Sequence, residues 1–364
     1  DWYRWYAEDH LLFAQQFVQF DLADVELDPR GILTSFKPPL YSAFLALIYF
    51  LTGVGAKRFF VVRLIQTITG AFLAPLVYAL ARYFLPEKEK AARGAAWVVT
   101  LYPMLIIYPL SLATENLFFP LVLGTILSLL KASEKRKLGY FVLTGFLFGL
   151  SALTRSIILP VGGLCVLWVW LALRERKSAL LMFLTMLVVI TPWMARNSFL
   201  NQRLSGIETS MGYNLYVGYH PQGTGTFQYG ISLDLLTILD DGTRDQVGME
   251  AVKGFILDNP KRIPYLALRK LGYFFGLERR ALTYFYSNNF FGFVPLPSLI
   301  FITLILLLPF VIVSVSAVFG LAFIRWNKRT ALLLLIMFGY ISPHLLIQAE
   351  ERFHLLMVPF FGIL

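Results

Sequence analysis

Apolar positions run along most of this chain in stretches near the roughly 17–25 residues that cross a bilayer as a helix. They occupy 38–54, 59–84, 94–110, 112–131, 138–153, 156–173, 178–195, 297–324 and 330–347, and a tenth opens near 353. Some are short and tightly paired, as in 138–173, where only "TRS" intervenes. Two segments break the pattern: 1–37 and about 196–296. The second has helical periodicity of its own. "TRDQVGMEAVKGFILDNP" sets Val247, Ala251, Val252, Phe255 and Ile256 on one face. "PKRIPYLALRKLGYFFG" follows, with Ile263, Leu266, Leu271, Phe274 and Phe275 beside Lys261, Arg262, Arg269 and Lys270. An apolar face flanked by basic residues suits a helix lying on lipid headgroups, or one packed on the ends of the spans.

The pattern predicts an all-α polytopic membrane protein. Expected regions are a first extracytoplasmic loop at 1–37, a transmembrane module at 38–195, an extracytoplasmic segment at 196–296 and C-terminal spans at 297–364. Composition agrees: 57% of the 364 residues are hydrophobic and 15% are charged, against about 25% charged in soluble domains. The net charge of +10 does not point to nucleic acid, because the basic residues sit in short clusters between apolar runs. The lone cysteine, Cys165, lies inside an apolar run and has no internal partner. The chain opens on Asp1, and its last run, "LLMVPFFGIL", stops short. The expectation is a fragment lacking spans at both ends.

Orientation follows from the basic clusters: "RYFLPEKEKAAR" (82–93), "KASEKRK" (131–137), "RERK" (174–177) and "RWNKR" (325–329). The positive-inside rule places all four in the cytoplasm. Segment 196–296, "QAEERFH" (348–354) and the turn before Glu115 then fall outside. Segment 1–37, with seven acidic and three basic residues, suits the same side. An odd number of crossings must separate 1–37 from 82–93, yet two apolar runs lie between, so either one run does not cross fully or "AKR" (56–58) is a shallow or re-entrant turn.

Charge at the outer ends of spans carries the candidate chemistry. Lys37 stands before Pro38 and Pro39. Prolines fit the first helical turn, and a residue before proline avoids the α region. They hold the lysine at the membrane rim, where it either snorkels to headgroups or faces a particular lipid phosphate. Asp9, in "AEDHLLFAQQF", is a helix cap or a general base, and Glu8 and Asp1 are neighbours able to take that part. Glu115 opens an apolar run after Ser111 and Thr114. It either complements a capped helix dipole or shares a cavity with Asp9. Arg155, between two short runs, is costly at that depth unless paired or wet. Glu350, Glu351, Arg352 and His354 end another span, where headgroup anchoring is the plain alternative. The histidines at 10, 220, 344 and 354 lack metal-ligand spacing. No Walker loop, Gly-x-Gly-x-x-Gly or Gly-x-Ser-x-Gly occurs.

Taken in order, "EDHLLFAQQF", "FKPPLYSAFLALI", "YPLSLATENLFF", "GLSALTRSIILP", "TPWMARNSFLNQRLSGIETSMGYNLYVGYHPQGTGTF", "NPKRIPYLALRKLGYFF" and "ERFHLLMVPF" resemble the polytopic GT-C glycosyltransferases of family 39. These are the relatives of protein O-mannosyltransferases and aminoarabinose transferases. The resemblance implies inverting transfer of a sugar from a polyprenyl-phosphate donor on the extracytoplasmic side of the plasma (inner) membrane. It implies that Asp9 is the catalytic carboxylate, that Lys37 faces the lipid phosphate, and that Arg352 is the arginine near the last shared span. Arg155 joins Lys37 and Arg352 as a candidate phosphate ligand, Glu115 joins Asp9 as a candidate catalytic acid, and Asp1, Glu8 and Glu351 are alternates. Two departures stand out: Phe36 where an acid often precedes the lysine, and "GYHP", with Tyr219 and His220, where Gly-Asn-x-Pro is expected.

The chemistry holds together without the family. A phosphate is a good leaving group and needs charge stabilisation rather than a general acid. An acceptor hydroxyl needs a base. The partners implied are a polyprenyl-phosphate sugar, the bilayer, and a lipid, glycan or protein acceptor; nucleic acid is not among them. No cofactor is assigned, and a divalent metal stays open. The alternative class is a transporter or flippase of a lipid-linked sugar, which would show broken helices in inverted repeats.

Overall fold

The computed structural model describes residues 33–53, 55, 57–279, 282 and 292–364. It is helical, with no strand among the described residues. Five described helices are long and apolar enough to cross a membrane: Lys57–Phe84, Glu115–Lys135, Arg176–Leu200, Leu296–Ala322 and Lys328–Leu346. A sixth crossing results if the pair Glu89–Leu101 and Pro103–Leu110, bent by 56°, is one broken span. The bend falls at Tyr102, held extended at φ −69°, ψ 114°, because the next residue is Pro103 and a residue before proline avoids the α region.

The chain divides into two compact units, one of 1–37 with 194–269 and one of 38–193 with 270–364. The larger unit is the bundle of apolar helices. Glu115–Lys135 packs along Leu138–Thr154, Leu73–Phe84 along Glu89–Leu101, and Lys328–Leu346 along Leu159–Leu171. Its buried core includes Phe118, Ile126, Phe141, Phe148 and Leu333. Leu296–Ala322 leaves Ile300, Phe301, Leu304, Ile305 and Phe319 exposed, as expected of a helix whose outer surface meets lipid rather than water.

The basic clusters converge. Arg136 donates to Glu175 Oε1 at 2.9 Å, joining 131–137 to 174–177. Arg329 reaches Glu134 Oε1 at 2.6 Å and the Tyr83 carbonyl at 2.9 Å, joining 325–329 to 131–137 and to 82–93. All four clusters therefore lie at one end of the bundle. The helix Glu115–Lys135 starts at the opposite end, and its 21 residues cover about 30 Å at 1.5 Å per residue.

Helix length bears on the crossing count. Pro39–Thr52 has 14 residues and covers about 21 Å, short of a hydrocarbon core of about 30 Å. Lys57–Phe84 is the long helical run between segment 1–37 and the first basic cluster.

In the smaller unit, Met211–Tyr219 packs against Asp241–Asp258. Tyr213, Val217 and Leu235 form the core, with Phe36, Tyr216, Phe227 and Ile231 packed on it. The inward face of Asp241–Asp258 is Arg244, Gly248 and Val252, four residues apart. Val247, expected on the buried face, is exposed instead, because the neighbouring helix comes close only along the glycine row. A Cβ added at Gly248 would stand 2.6 Å from the Gly212 backbone. Gly248→Ala should destabilise this unit by about 1–3 kcal/mol, the usual cost of overpacking against atoms that cannot yield. Hydrogen exchange over 211–219 and 241–258 reads the loss, and unchanged protection would contradict the close approach.

Candidate functional site

The larger unit gathers charge at the end away from the basic clusters. The irregular stretch before Glu115 has its carbonyls satisfied from within, as apolar surroundings demand. Gln66 Nε2 donates to the Pro109 and Ser111 carbonyls at 2.8 and 2.9 Å, and Asn116 Nδ2 to Ser111 O at 2.9 Å. Tyr41 in turn donates its hydroxyl to Gln66 Oε1 at 2.7 Å. Glu115 thus begins its helix from a fixed point. Thr114 occupies the cap position but makes no side-chain cap bond. Its hydroxyl donates to Glu115 Oε2 at 3.0 Å instead.

Arg155 sits in extended conformation between Leu138–Thr154 and the turn Ser156–Ile158. Its Nη1 donates to Glu115 Oε1 and reaches Thr114 Oγ1 at 3.4 Å. The expected cost of an arginine at this depth is thus met by pairing. Arg352 stands close enough to Glu115 and Tyr108 to interact with them electrostatically, and its Nε is 3.0 Å from Glu350 Oε2. The Glu350 side chain is 3% exposed, whereas that of Arg352 is 48% exposed, so the arginine presents much of its surface outward from a buried anchor. The guanidinium carbons of Arg155 and Arg352 each lie 5.4 Å from the centroid of Phe353, an arrangement favourable for cations over a π face. The ring of His344 is 4.6 Å from that of Phe353.

Of the residues singled out in the sequence, Glu115, Arg155 and Arg352 are brought together. Glu350 rather than Glu351 is the buried partner of Arg352; Glu351 opens the 3-10 helix Glu351–Met357. Asp1, Glu8 and Asp9 lie outside the described residues. Tyr108 and Phe353 were not foreseen, and nothing in their sequence neighbourhood distinguishes them from other aromatics.

Lys37 belongs to the smaller unit. Ser35 N donates to Asp241 Oδ2 at 2.9 Å, Thr209 N to Ser35 O at 2.9 Å and Arg196 Nη1 to Thr34 O at 2.6 Å. Phe36 packs edge-on to Tyr213, ring centroids 5.5 Å apart, and the Arg244 guanidinium covers it at 5.3 Å. The departure at Phe36 is thereby a core anchor. Pro38 is extended at φ −62°, ψ 149° and Pro39 takes the first helical position, as the pair of prolines requires. The Lys37 side chain is exposed, with Nζ 4.9 Å from the Phe36 centroid. In the same unit His220, the second departure, packs against Tyr216 and Phe255 at 5.2 and 5.6 Å. Burial pushes its pKa below the ordinary histidine value, Asp234 opposes this and Arg262 adds to it.

Two stretches that the sequence left open between the headgroups and the bundle pack polar groups inward. Lys270 does not reach the headgroups: it is fully buried, with Nζ 3.3 Å from the Leu346 carbonyl. Glu350 and His354 are also buried, so "QAEERFH" is not simply a headgroup anchor. The physical reason is that both stretches pack their polar groups on neighbouring backbone and side chains rather than on the surface. Among the described residues, no three His, Cys, Asp or Glu side chains gather as metal ligands would.

Residues 36–195 match the family model described as dolichyl-phosphate-mannose-protein mannosyltransferase, and the resemblance read from the motifs stands over that range. No curated protein matches the chain. Among solved structures, the chain is similar to the oligosaccharyltransferase of Archaeoglobus fulgidus, crystallised tethered to an acceptor peptide containing the NVT sequon. The TM-score is 0.49 at 14% identity, over 92% of this chain and 41% of that one. The present chain therefore spans less than half the length of that protein.

Proposed function

We propose that this chain is part of a polytopic inverting glycosyltransferase that moves a sugar from a polyprenyl-phosphate donor to an acceptor hydroxyl on the extracytoplasmic face. The observation that carries the proposal is the cluster of Glu115, Arg155 and Arg352, two of them within the range matched to the mannosyltransferase family model. Its position opposite the basic clusters supports the extracytoplasmic assignment.

In the proposed reaction, the acceptor oxygen attacks the anomeric carbon opposite the phosphate. One C–O bond forms, the bond to phosphate oxygen breaks, and polyprenyl phosphate leaves. Lys37 and Arg352 stabilise the phosphate as charge builds on it. Asp9 takes the acceptor proton. Both oxygens of Glu115 are already engaged, by Arg155 and Thr114, so its part is to hold Arg155 rather than to move a proton. Transfer of labelled sugar from polyprenyl phosphate in membranes tests the reading. Membranes carrying the protein should transfer label, and absence of transfer with every polyprenyl-phosphate sugar supplied would remove it.

Lys37→Met keeps the aliphatic stem and removes the charge. Charge-assisted hydrogen bonds are worth about 1.5–3 kcal/mol, so donor KM should rise about ten- to hundredfold with acceptor KM unchanged. An unchanged donor KM would leave the lysine as an interface anchor. Lys253→Cys checks the topology, since Lys253 is exposed and Cys165 is buried. An impermeant thiol reagent should label it from outside intact cells, and labelling only after permeabilisation would place 196–296 on the cytoplasmic face.

A further inference from the structure

The larger unit contains a second polar group with no part in the chemistry above. His354 is fully buried, and both of its ring nitrogens are engaged: Nδ1 lies 2.7 Å from the Phe274 carbonyl and Nε2 2.9 Å from Glu278 Oε1. A carbonyl only accepts, so Nδ1 carries hydrogen. One further proton is then held between Nε2 and Glu278. The Tyr102 hydroxyl donates to the same Glu278 oxygen at 2.9 Å, and Phe310 stacks on the imidazole at 3.7 Å between centroids. Glu278 Oε2 is buried without a hydrogen-bond partner among the described residues. A buried carboxylate left half satisfied costs stability, and an apolar replacement of similar volume is often no worse. Its presence calls for another reason.

Two short segments supply one. Tyr102 and Tyr108 stand at the two ends of the bent stretch 102–108, and Arg352 and His354 stand two residues apart at the start of Glu351–Met357. Tyr102 is tied to His354 through Glu278, and His354 is held through its second ring nitrogen by the Phe274 carbonyl. The turn is thereby fixed two residues from Arg352, whose Nε is itself 3.0 Å from the buried Glu350 carboxylate. A histidine held at both nitrogens does not let the turn swivel, which fixes where Arg352 projects.

We propose that His354, Glu278 and Tyr102 are positioning residues, a buried clamp that sets the direction of Arg352 toward the donor phosphate. This rests on the phosphate-binding role assigned to Arg352 above. The test uses Tyr102→Phe/Glu278→Leu/His354→Phe, which removes the polar clamp while keeping volume, and Glu278→Gln as a milder variant should the triple not accumulate. Hydrogen exchange over 350–357 is measured first, with no need of activity. Protection there should fall by at least about tenfold in either variant while 115–135 is unchanged, and equal protection would overturn the clamp.

Donor kcat/KM is then measured with and without Arg352→Met. Alone, Arg352→Met should cost about ten- to hundredfold. In the clamp variant the same change should cost less than about threefold, because an arginine already misdirected has little left to lose. A full additional loss in that background would mean that the clamp is structural only and would overturn the positioning role. Lack of transfer by the unaltered protein would count against the proposed reaction, with the exchange result still deciding the clamp.

Discussion

Arg155→Met is expected to destabilise the protein by about 3–5 kcal/mol, the usual cost of removing one partner from a buried ion pair. Glu115 is 4% exposed, and its Oε1 accepts from Arg155. Without the guanidinium the carboxylate stays buried, having lost its ion-pair partner at Oε1 and keeping the Thr114 hydroxyl against Oε2 and the more distant charge of Arg352. Glu115→Leu made together with Arg155→Met should recover most of the loss, since replacing both charges removes the desolvation penalty as well as the attraction. Unfolding midpoints in detergent for the two single variants and the double decide it. A double variant as unstable as the sum of the singles would show that the two residues do not act as a pair.

Asp9→Asn should lower turnover by about 10²–10⁴, the size of general base catalysis, with the unfolding midpoint held. The expectation rests on an acidic residue placed ahead of a Lys-Pro-Pro at the start of an apolar helix, not on geometry. Asparagine keeps the shape and can still accept a hydrogen bond, but it cannot take the acceptor proton at neutral pH. Glu8→Gln and Asp1→Asn are the controls. Full activity in Asp9→Asn with loss in either control would move the base to that residue, and full activity in all three would end the idea of a base in this loop.

The helices were legible in the sequence because spanning runs are long and uninterrupted. Glu115–Lys135 and Lys328–Leu346 begin or end within a few residues of the apolar runs that predicted them. Breaks inside runs were not legible. The run 94–110 bends at Tyr102, where hydropathy is unchanged and only Pro103 marks the place. The charged residues of the cluster could be found, since an acid or an arginine at the end of a span is conspicuous. Their pairing could not, since Glu115 and Arg155 are 40 residues apart and hydropathy does not say which helices are neighbours.

Lys270 shows a different limit. It follows Arg269 directly, and adjacent helical positions point about 100° apart, so the two need not share surroundings. Arg269 is exposed and Lys270 buried, a division that composition alone assigns equally to both. Glu278 and His354 each stand in a charged stretch, "LERR" and "EERFH", and nothing local pairs them; their meaning appears only when the two stretches meet.

Pro39–Thr52 has 14 residues and packs against Leu138–Thr154, which has 17. These cover about 21 and 26 Å, whereas the neighbouring long spans exceed the thickness of the hydrocarbon layer. Lipid beside the short pair meets a hydrophobic mismatch, relieved by local thinning at a cost of fractions of a kcal/mol per Å. Such thinning would draw the headgroup plane inward on the flank where Pro39–Thr52 begins. The lipid phosphate of the proposed donor, diffusing along that flank, would be lowered toward the bundle before it touched a single charged side chain.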